Sequence, residues 1–294
     1  MDIINKKYGS LPLLKCLDHG FVKLIDCMPR EIPENEESAD YVIAEAARCS
    51  YKRGTKTIRE DKALIRYLMR HQHTSPFEMI EFKFHMKLPI FVARQVIRHR
   101  VANLNELSGR YSEIPEEYYI PEKNNVRLQD TINIQGSEGI YEDGEFFNKN
   151  LKAHSEDSWN FYRTWLEEGI AREQCRMVLP LNAYTEWYWK MDLKNLLHFL
   201  DLRCDSHAQQ EIQVYANAIL ELIKPIVPWT IEAWEDYSPY RGGIMLTKYE
   251  IAAIRGAICQ TPTEAGISVP NIEELNKLEQ KEWKDKAKIL GFEV

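Results

Sequence analysis

The stretch IEFKFHMKL, residues 80–88, alternates strictly between apolar and polar side chains. A period of two places alternate side chains on the same face of a strand. The stretch therefore predicts a β-strand with one apolar face, and Pro89 ends it. The apolar positions are Ile80, Phe82, Phe84, Met86 and Leu88.

The next stretch, PIFVARQVIRHR at residues 89–100, predicts a helix with proline in its first turn. Val92 and Val96 lie four residues apart, which is the spacing of neighbours on one helix face. Gln95, Arg98 and His99 then fall near the C-terminal end. Other segments predict further helices at 38–49, 60–71, 144–168 and 193–201, and a second strand in YTEWYWKM at 184–191. Because strands and helices interleave, the fold class is mixed.

The segment DSHAQQEIQVYANAILELIKP, residues 205–225, contains the clearest helical pattern. Ser206 and Gln209 fit a capping box, so the helix is expected to begin near Ser206. Its apolar residues form one continuous stripe of Ile212, Tyr215, Ala216, Ile219, Leu220 and Ile223.

The chain shows no internal repeat and no Gly/Ser-rich or Pro-rich linker, which favours one compact domain over two. We expect this domain to span residues 1–240. Residues 123–145 are polar and predict an inserted loop. Residues 241–294 form a C-terminal extension of unknown role, which ends in the mixed-charge run EELNKLEQKEWKDKAKIL. Such a run is typical of a solvated helix or tail.

Composition excludes several classes of protein. No stretch reaches the eighteen or so apolar residues of a membrane helix, and the first residues lack the apolar run of a signal peptide, so we expect a cytoplasmic protein. The six cysteines form no CxxC pair, which argues for reduced thiols without a zinc site or disulfide framework. The net charge of -7 makes the whole chain unsuited to nucleic acid.

One basic cluster stands out in this acidic chain. The stretch RQVIRHRVANLNELSGRYSE, residues 94–113, places Arg98, Arg100 and Arg110 around a Ser-Gly step. Guanidinium groups pair bidentately with phosphate, so the cluster suits a nucleotide monophosphate. A surface salt bridge is the more probable role for any single arginine, but not for the whole group.

Two further clusters are candidates. In LDLRCDSHAQQ, residues 200–210, Arg203 is expected just before a helix N-terminus, where anions are favoured. Arg203 and His207 could then face one site, or His207 could be an ordinary first-turn residue. In RHQHTSPFEM, residues 70–79, Ser75 and Glu78 match a capping box. His71 and His73 are too few for a metal site, and none is expected.

Ser108 is a weak candidate nucleophile, because the stretch ELSGR lacks the GxSxG elbow and no partner His and Asp can be assigned. Walker A and GxGxxG patterns are absent as well. Any dinucleotide or flavin must therefore bind without a Rossmann loop.

The clusters together resemble the flavin-dependent thymidylate synthases, whose signature is Arg-His-Arg, seven residues, then Ser. The pattern here is Arg98-His99-Arg100, VANLNEL, Ser108, flanked by PIFVARQ, NELSGRYS, VLPLN and LRCDSHAQ. The resemblance covers roughly residues 17–240. It implies an α+β fold with a central, largely antiparallel sheet. It also implies conversion of dUMP to dTMP with methylenetetrahydrofolate as carbon donor, FAD as hydride carrier and NADPH as reductant.

The resemblance also implies the site residues. Those implied for dUMP are Gln95, Arg98, Glu106, Leu107, Ser108, Gly109, Arg110, Arg176 and Arg203. Those implied for FAD are His73, Ser75, Glu78, Arg98, His99, Arg100, Asn105, Glu106, Asp192, Lys194 and His198. Asp192, Lys194 and His198 depart from the family pattern of Asn-x-Arg and a later Asn, so the chemistry of their contacts with FAD would differ from that pattern.

The implied mechanism needs no cysteine nucleophile. Arg203 resembles the arginine that contacts the uracil ring and favours its N3-deprotonated form, since a nearby cation stabilises an anion. Family members are homotetramers whose active sites combine several subunits. Two other functions remain open: a non-catalytic nucleotide or RNA-phosphate binding protein that uses the same arginines, and a hydrolase that uses Ser108.

Overall fold

The computed structural model describes residues 13–49, 58–130 and 136–241. The mixed-charge run, Cys259 and nearly all of the C-terminal extension lie outside these ranges. Among the described residues, no helix is long and apolar enough to cross a membrane.

The centre of the fold is a five-stranded antiparallel sheet with the strand order β1-β2-β3-β7-β4. Its strands are β1 (Leu14–Cys16), β2 (Gly20–Met28), β3 (Glu81–Pro89), β4 (Asn103–Glu106) and β7 (Tyr184–Asp192). The strands β5 (Leu128–Gln129) and β6 (Ser137–Glu138) form a separate hairpin. The predicted inserted loop at 123–145 therefore contains a small hairpin of its own.

Eight α-helices complete the described part of the chain. They are α1 (Tyr41–Arg48), α2 (Ile58–Arg70), α3 (Ile90–Val96), α4 (Gly144–Glu167), α5 (Arg172–Cys175), α6 (Leu193–Arg203), α7 (Gln210–Ile223) and α8 (Pro228–Tyr237). Short 3-10 helices lie at Ser75–Met79, Lys123–Asn125 and Arg176–Val178. The predicted α+β class is confirmed, as are the helices expected at 38–49, 60–71, 144–168 and 193–201.

The alternating strand packs as its pattern predicts. All five apolar side chains of residues 80–88 are fully buried, and the polar ones between them reach the opposite face. β3 pairs with β7 along its whole length, from Glu81 opposite Asp192 to Pro89 opposite Tyr184. The stripe of α7 packs into the same core, with Ile212, Tyr215 and Ile219 fully buried. Each such side chain stabilises the fold by about 1.5–3 kcal/mol.

Two predicted helix starts are wrong. α7 begins at Gln210 rather than near Ser206, and neither Ser206 nor Gln209 caps it with a side chain. The Asp205 carboxylate instead accepts the backbone N–H of His207 at 2.8 Å, which holds the preceding residues in a turn. The Ser75–Glu78 capping box is also absent. That segment is a 3-10 helix whose N-cap is Thr74, without a side-chain bond.

The predicted helix at 89–100 is shorter than expected. It ends at Val96, and Pro89 is its N-cap and the last residue of β3 rather than a first-turn residue. Arg98 and His99 consequently lie in the turn after the helix. The stretch beyond them contains β4, which forms an edge of the sheet by pairing with β7.

A buried carboxylate connects the first and last described helices. Asp40 is fully buried, and its side chain accepts hydrogen bonds from the backbone N–H groups of Trp229 at 2.9 Å and Thr230 at 3.1 Å. These are N–H groups of the first turn of α8, which lack partners within the helix. The hydroxyls of Ser38 and Thr230 donate to the same carboxylate. Burial raises the pKa of Asp40, and these hydrogen bonds oppose the rise.

We expect Asp40→Ala to lower the free energy of unfolding by about 2–3 kcal/mol, because it leaves buried donors unpaired. Asp143 is the matched control, since its exposed carboxylate caps α4 through the Phe146 N–H at 3.0 Å. Asp143→Ala should cost only about 0.5–1 kcal/mol, the loss of an exposed cap. Urea denaturation followed by tryptophan fluorescence measures both values. Equal losses in the two variants would contradict the capping role of Asp40.

Candidate active site

Three arginines share one cavity of about 400 Å³, which we call the arginine cavity. Of the described residues that line it, none carries a carboxylate. They are Arg98, His99, Arg100, Val101, Met191, Asn195, His198, Leu202 and Arg203. A cavity with three guanidinium groups and no lining carboxylate favours an anionic ligand.

The β3–β7 pair brings these residues together. α3 follows β3 directly at one end of the pair, and α6 follows β7 directly at the other end. The turn after α3 carries Arg98 and His99, and Arg203 is the last residue of α6. The two segments converge at the arginine cavity, where the side chains of His99 and Arg203 meet. Arg203 therefore lies at a helix C-terminus, not just before a helix N-terminus as predicted.

The arginines of the cavity have no carboxylate partner among the described residues. Arg98 and Arg100 form no ion pair there, and the Arg203 side chain has a single hydrogen bond, from its Nε–H to His99 Nε2 at 3.1 Å. The chain contains 45 Asp and Glu residues, so pairing with surface carboxylates was the simplest expectation. Unpaired guanidinium groups are instead available to a ligand.

His99 is a neutral imidazole in this arrangement. Arginine only donates hydrogen bonds, so His99 Nε2 must be the acceptor and the ring proton must be on Nδ1. Burial lowers the pKa of His99 to about 4, and the positive charge of Arg203 and the neighbouring His198 act in the same direction. The ring also packs against Phe199 in a T-shaped arrangement, with a centroid distance of 4.9 Å.

A second cavity of about 340 Å³ borders the first, and His198 lines both. Lys194 lies in its wall together with Thr74 and Phe77. His73, Ser75 and Glu78 belong to the same segment as Thr74, but they are exposed and line neither cavity. The segment therefore lies beside Lys194 and His198, the predicted FAD residues of α6, but its own predicted FAD residues do not line the cavities.

Asp192 has a structural role. Its two carboxylate oxygens accept the backbone N–H of Asn195 at 2.9 Å and the Asn195 side-chain amide at 2.7 Å, so Asp192 caps α6. Lys194 Nζ also donates to the Asn195 amide oxygen, at 3.2 Å. Asn195 therefore links two of the predicted FAD residues and lines the arginine cavity itself. It was missed because an asparagine in the first turn of a helix gives no signal of ligand binding in the sequence.

The second half of the predicted dUMP site lies elsewhere on the chain. Arg110 forms an ion pair with Glu173 of α5 at 2.8 Å and does not line the arginine cavity. The backbone of Gly109 lies against Arg176, because a Cβ placed there would be 3.1 Å from Arg176 Cδ. Ser108 Oγ accepts the Arg110 N–H at 3.3 Å. These residues form one group, which we call the Arg110 group: Ser108, Gly109, Arg110 and Arg176. Its two arginines are exposed, Ser108 is half-buried and Gly109 is buried.

Asn105, Glu106 and Leu107 line a third cavity, of about 360 Å³, with His85 and Tyr188. The Glu106 carboxylate is held by the Thr185 hydroxyl, which donates to it at 2.6 Å. Thr185 belongs to β7 and is buried. It was not predicted, since a threonine in an aromatic strand reads as an ordinary strand residue.

Two glutamines that do not line the arginine cavity are paired with each other. Gln95, predicted to contact dUMP, is hydrogen-bonded through its side-chain amide to Gln209. His207 does not join Arg203, since its side chain is 78% exposed and pairs with Asp205. His207 instead lines a separate cavity of about 660 Å³ between the inserted segment and the start of α7.

The described residues give little support to other chemistries. The hydrogen bond recorded for the Ser108 hydroxyl joins it to a backbone N–H, and no histidine is bonded to it within the described ranges. In the same ranges, no group of three or more His, Cys, Asp or Glu side chains could hold a metal ion.

Comparison with known proteins finds relatives that match most of the chain. The family model described as thymidylate synthase complementing protein matches residues 31–229. A relative from Dictyostelium discoideum named flavin-dependent thymidylate synthase is 50% identical over 271 residues, covering 91% of this chain and 86% of that protein. A relative of the same name from Thermus thermophilus is 50% identical over 252 residues, covering 86% and 88%.

The fold also has a solved counterpart. The crystal structure of a UMP/dUMP methylase, PolB from Streptomyces cacaoi, bound with 5-Br dUMP, matches with a TM-score of 0.68 and 28% identity. The match covers 78% of this chain and 100% of that chain. From the family match and the long, highly identical relatives, we conclude that this chain belongs to the flavin-dependent thymidylate synthase family.

Proposed function

We propose that the protein methylates dUMP to dTMP, with methylenetetrahydrofolate as carbon donor, FAD as hydride carrier and NADPH as reductant. The arginine cavity is the observation that carries this proposal, because three guanidinium groups converge there without a lining carboxylate. The catalytic domain in this proposal spans residues 1–240, in agreement with the family match at 31–229.

The residues present suit the two anionic ligands. Both FAD and dUMP carry phosphate, which guanidinium groups bind through charge-assisted hydrogen bonds. Arg98, Arg100 and the adjoining Lys194 supply positive charge on the side of His198, where the two cavities meet. PolB, the structural neighbour, is a UMP/dUMP methylase bound with 5-Br dUMP, which supports a pyrimidine nucleotide as the second ligand.

Arg203 is the proposed catalytic residue. Its two Nη groups have no partner among the described residues, so they are available to the uracil ring. A cation beside the ring stabilises the N3-deprotonated form, and the resulting electron-rich ring has a more nucleophilic C5. The interaction strengthens as negative charge develops, so it lowers the barrier as well as aiding binding. When bound, FAD supplies the hydride of the reaction.

The thiols support a mechanism without a cysteine nucleophile. Nucleophilic cysteines need a low pKa, because the thiolate is the reactive form. Burial raises the pKa of Cys16 and Cys27 to about 12 and that of Cys204 to about 11. Cys175 is buried and donates from Sγ to the Ile170 carbonyl at 3.3 Å. Cys49 is exposed but does not line the arginine cavity.

A homotetramer with shared active sites explains why the predicted dUMP residues are separated within one chain. The Arg110 group does not line the arginine cavity, yet both are predicted to bind the same ligand. Large apolar side chains next to this group are exposed: Tyr111 by 80% and Met177 by 77%. Exposed apolar side chains beside charged ones are typical of an interface. In the assembly, the Arg110 group of one subunit would complete the arginine cavity of another.

The proposal is tested by measuring dTMP formation from dUMP with the purified full-length protein. The reaction should require FAD, NADPH and methylenetetrahydrofolate together, and purified protein should be yellow or take up FAD. A protein that binds nucleotide but neither takes up FAD nor forms dTMP would support the non-catalytic alternative instead. A serine-directed covalent reagent should leave Ser108 unlabelled.

Mixed oligomers test the shared site. Arg203→Ala and Arg110→Ala should each be nearly inactive alone, since each removes one half of every site. Co-expression with two affinity tags yields hybrids, in which random assembly leaves about a quarter of the sites with both arginines intact. We expect hybrid activity near that fraction of wild type. Hybrids as inactive as their parents would place both arginines of each site in the same subunit.

Cys204 is a control for the mechanism, because it directly follows Arg203 in the chain. We expect Cys204→Ala to retain dTMP formation within about twofold of wild type, since a half-buried thiol with a raised pKa is a poor nucleophile. Steady-state kinetics on protein with normal FAD content provides the measurement. Loss of turnover in a correctly folded, FAD-loaded variant would contradict a mechanism without a cysteine nucleophile.

A further inference from the structure

We propose that His99 is a positioning residue for Arg203: its Nε2 accepts the Arg203 Nε–H and thereby directs both Nη groups toward the ligand. This role differs from the flavin contact that the family resemblance implies for His99. The function of Arg203 rests on the proposed function, whereas the contact between the two side chains does not.

The contact is the one hydrogen bond of the Arg203 side chain among the described residues, at 3.1 Å and partly buried. An arginine side chain has several rotatable bonds, and fixing Nε also fixes the plane of the guanidinium group. Because Nε donates to His99, the two Nη nitrogens remain available to a ligand. The described residues that line the cavity include no carboxylate, so none could hold Arg203 in this way.

His99 is itself held from the core. Its ring packs on the ring of Phe199. The Phe199 ring packs on Trp189 of β7 with a centroid distance of 5.2 Å, and Trp189 packs on Phe84 of β3 with a centroid distance of 6.3 Å. These rings are buried, and aromatic pairs of this geometry restrict one another. These packed rings therefore hold the imidazole in place relative to the sheet, and the imidazole holds Arg203 in place.

The surroundings keep the imidazole in the required state. Nε2 can accept only when the ring is neutral and protonated on Nδ1. Among the described residues that line the cavity, the other charged or titratable groups are Arg98, Arg100, His198 and Arg203, and none of them is a carboxylate that would favour protonation of His99. In agreement, burial followed by the charges of Arg203 and His198 lowers the pKa of His99 to about 4. The contact is therefore intact throughout the neutral range.

The test is a double-mutant cycle on dUMP affinity, measured by calorimetry with the FAD-loaded full-length protein. His99→Leu removes the acceptor but keeps an apolar side chain against Phe199, and should weaken dUMP binding about tenfold or more. His99→Gln keeps an acceptor and should remain within about threefold of wild type. In an Arg203→Ala background, adding His99→Leu should change the affinity by less than about twofold, because the two residues act as a unit.

Two results would overturn the proposal. One is an equal loss from His99→Leu with and without Arg203, which means that His99 contacts the ligand directly or acts on folding alone. The other is the wrong tautomer in ¹⁵N-histidine NMR of the wild-type protein, with His99 assigned by its loss in His99→Gln. We expect a neutral ring with a bare Nε2 at pH 7, and a higher His99 pKa in Arg203→Ala. The NMR result stands even if the protein does not bind dUMP, which separates this proposal from the proposed function.

Discussion

The continuous pairing of β3 with β7 is the constraint on which the site depends. Nine consecutive residue pairs fix the two strands in register, and a one-residue slip would expose the whole apolar face of β3. Each strand continues into a helix without a loop, so the register also sets where α3 and α6 end. The positions of His99 and Arg203 follow from that geometry. A polar site is thereby held by the packing of the hydrophobic core.

The arginine cavity lowers the stability of the fold through electrostatic repulsion, which other interactions must offset. Three guanidinium groups near one another repel, and among the described residues none of the three has a carboxylate partner. Other arginines of the chain do pair with carboxylates, as Arg66 does with Glu232 and Asp236, and Arg110 with Glu173. Charges left unpaired in one cavity of an acidic chain are typical of a site kept for an anionic ligand. The neutral His99 bonds to Arg203 without neutralising it.

Local pattern predicted the parts of the fold that are stabilised locally. The alternation of β3 and the stripe of α7 were sufficient, because one face of each is buried. β2 was missed because both of its faces carry apolar residues and a bulge between Leu24 and Asp26 breaks its alternation. α8 was missed because its cap comes from Asp40, 189 residues before Trp229. In the site, the family resemblance predicted Arg98, Arg100 and Arg203, which line one cavity. The Arg203–His99 and Glu106–Thr185 contacts join distant segments and left no sequence signal.

We propose that the arginine cavity of one subunit, completed by the Arg110 group of another, binds the two anionic ligands. An experimental structure of the full-length protein with FAD and dUMP would show whether it does. We expect phosphate and uracil density between Arg98, Arg100 and Arg203, with Arg203 Nε on His99 and Arg110 contributed by a neighbouring subunit. Ligand density away from this cavity, or Arg110 reaching it from the same chain, would contradict the account.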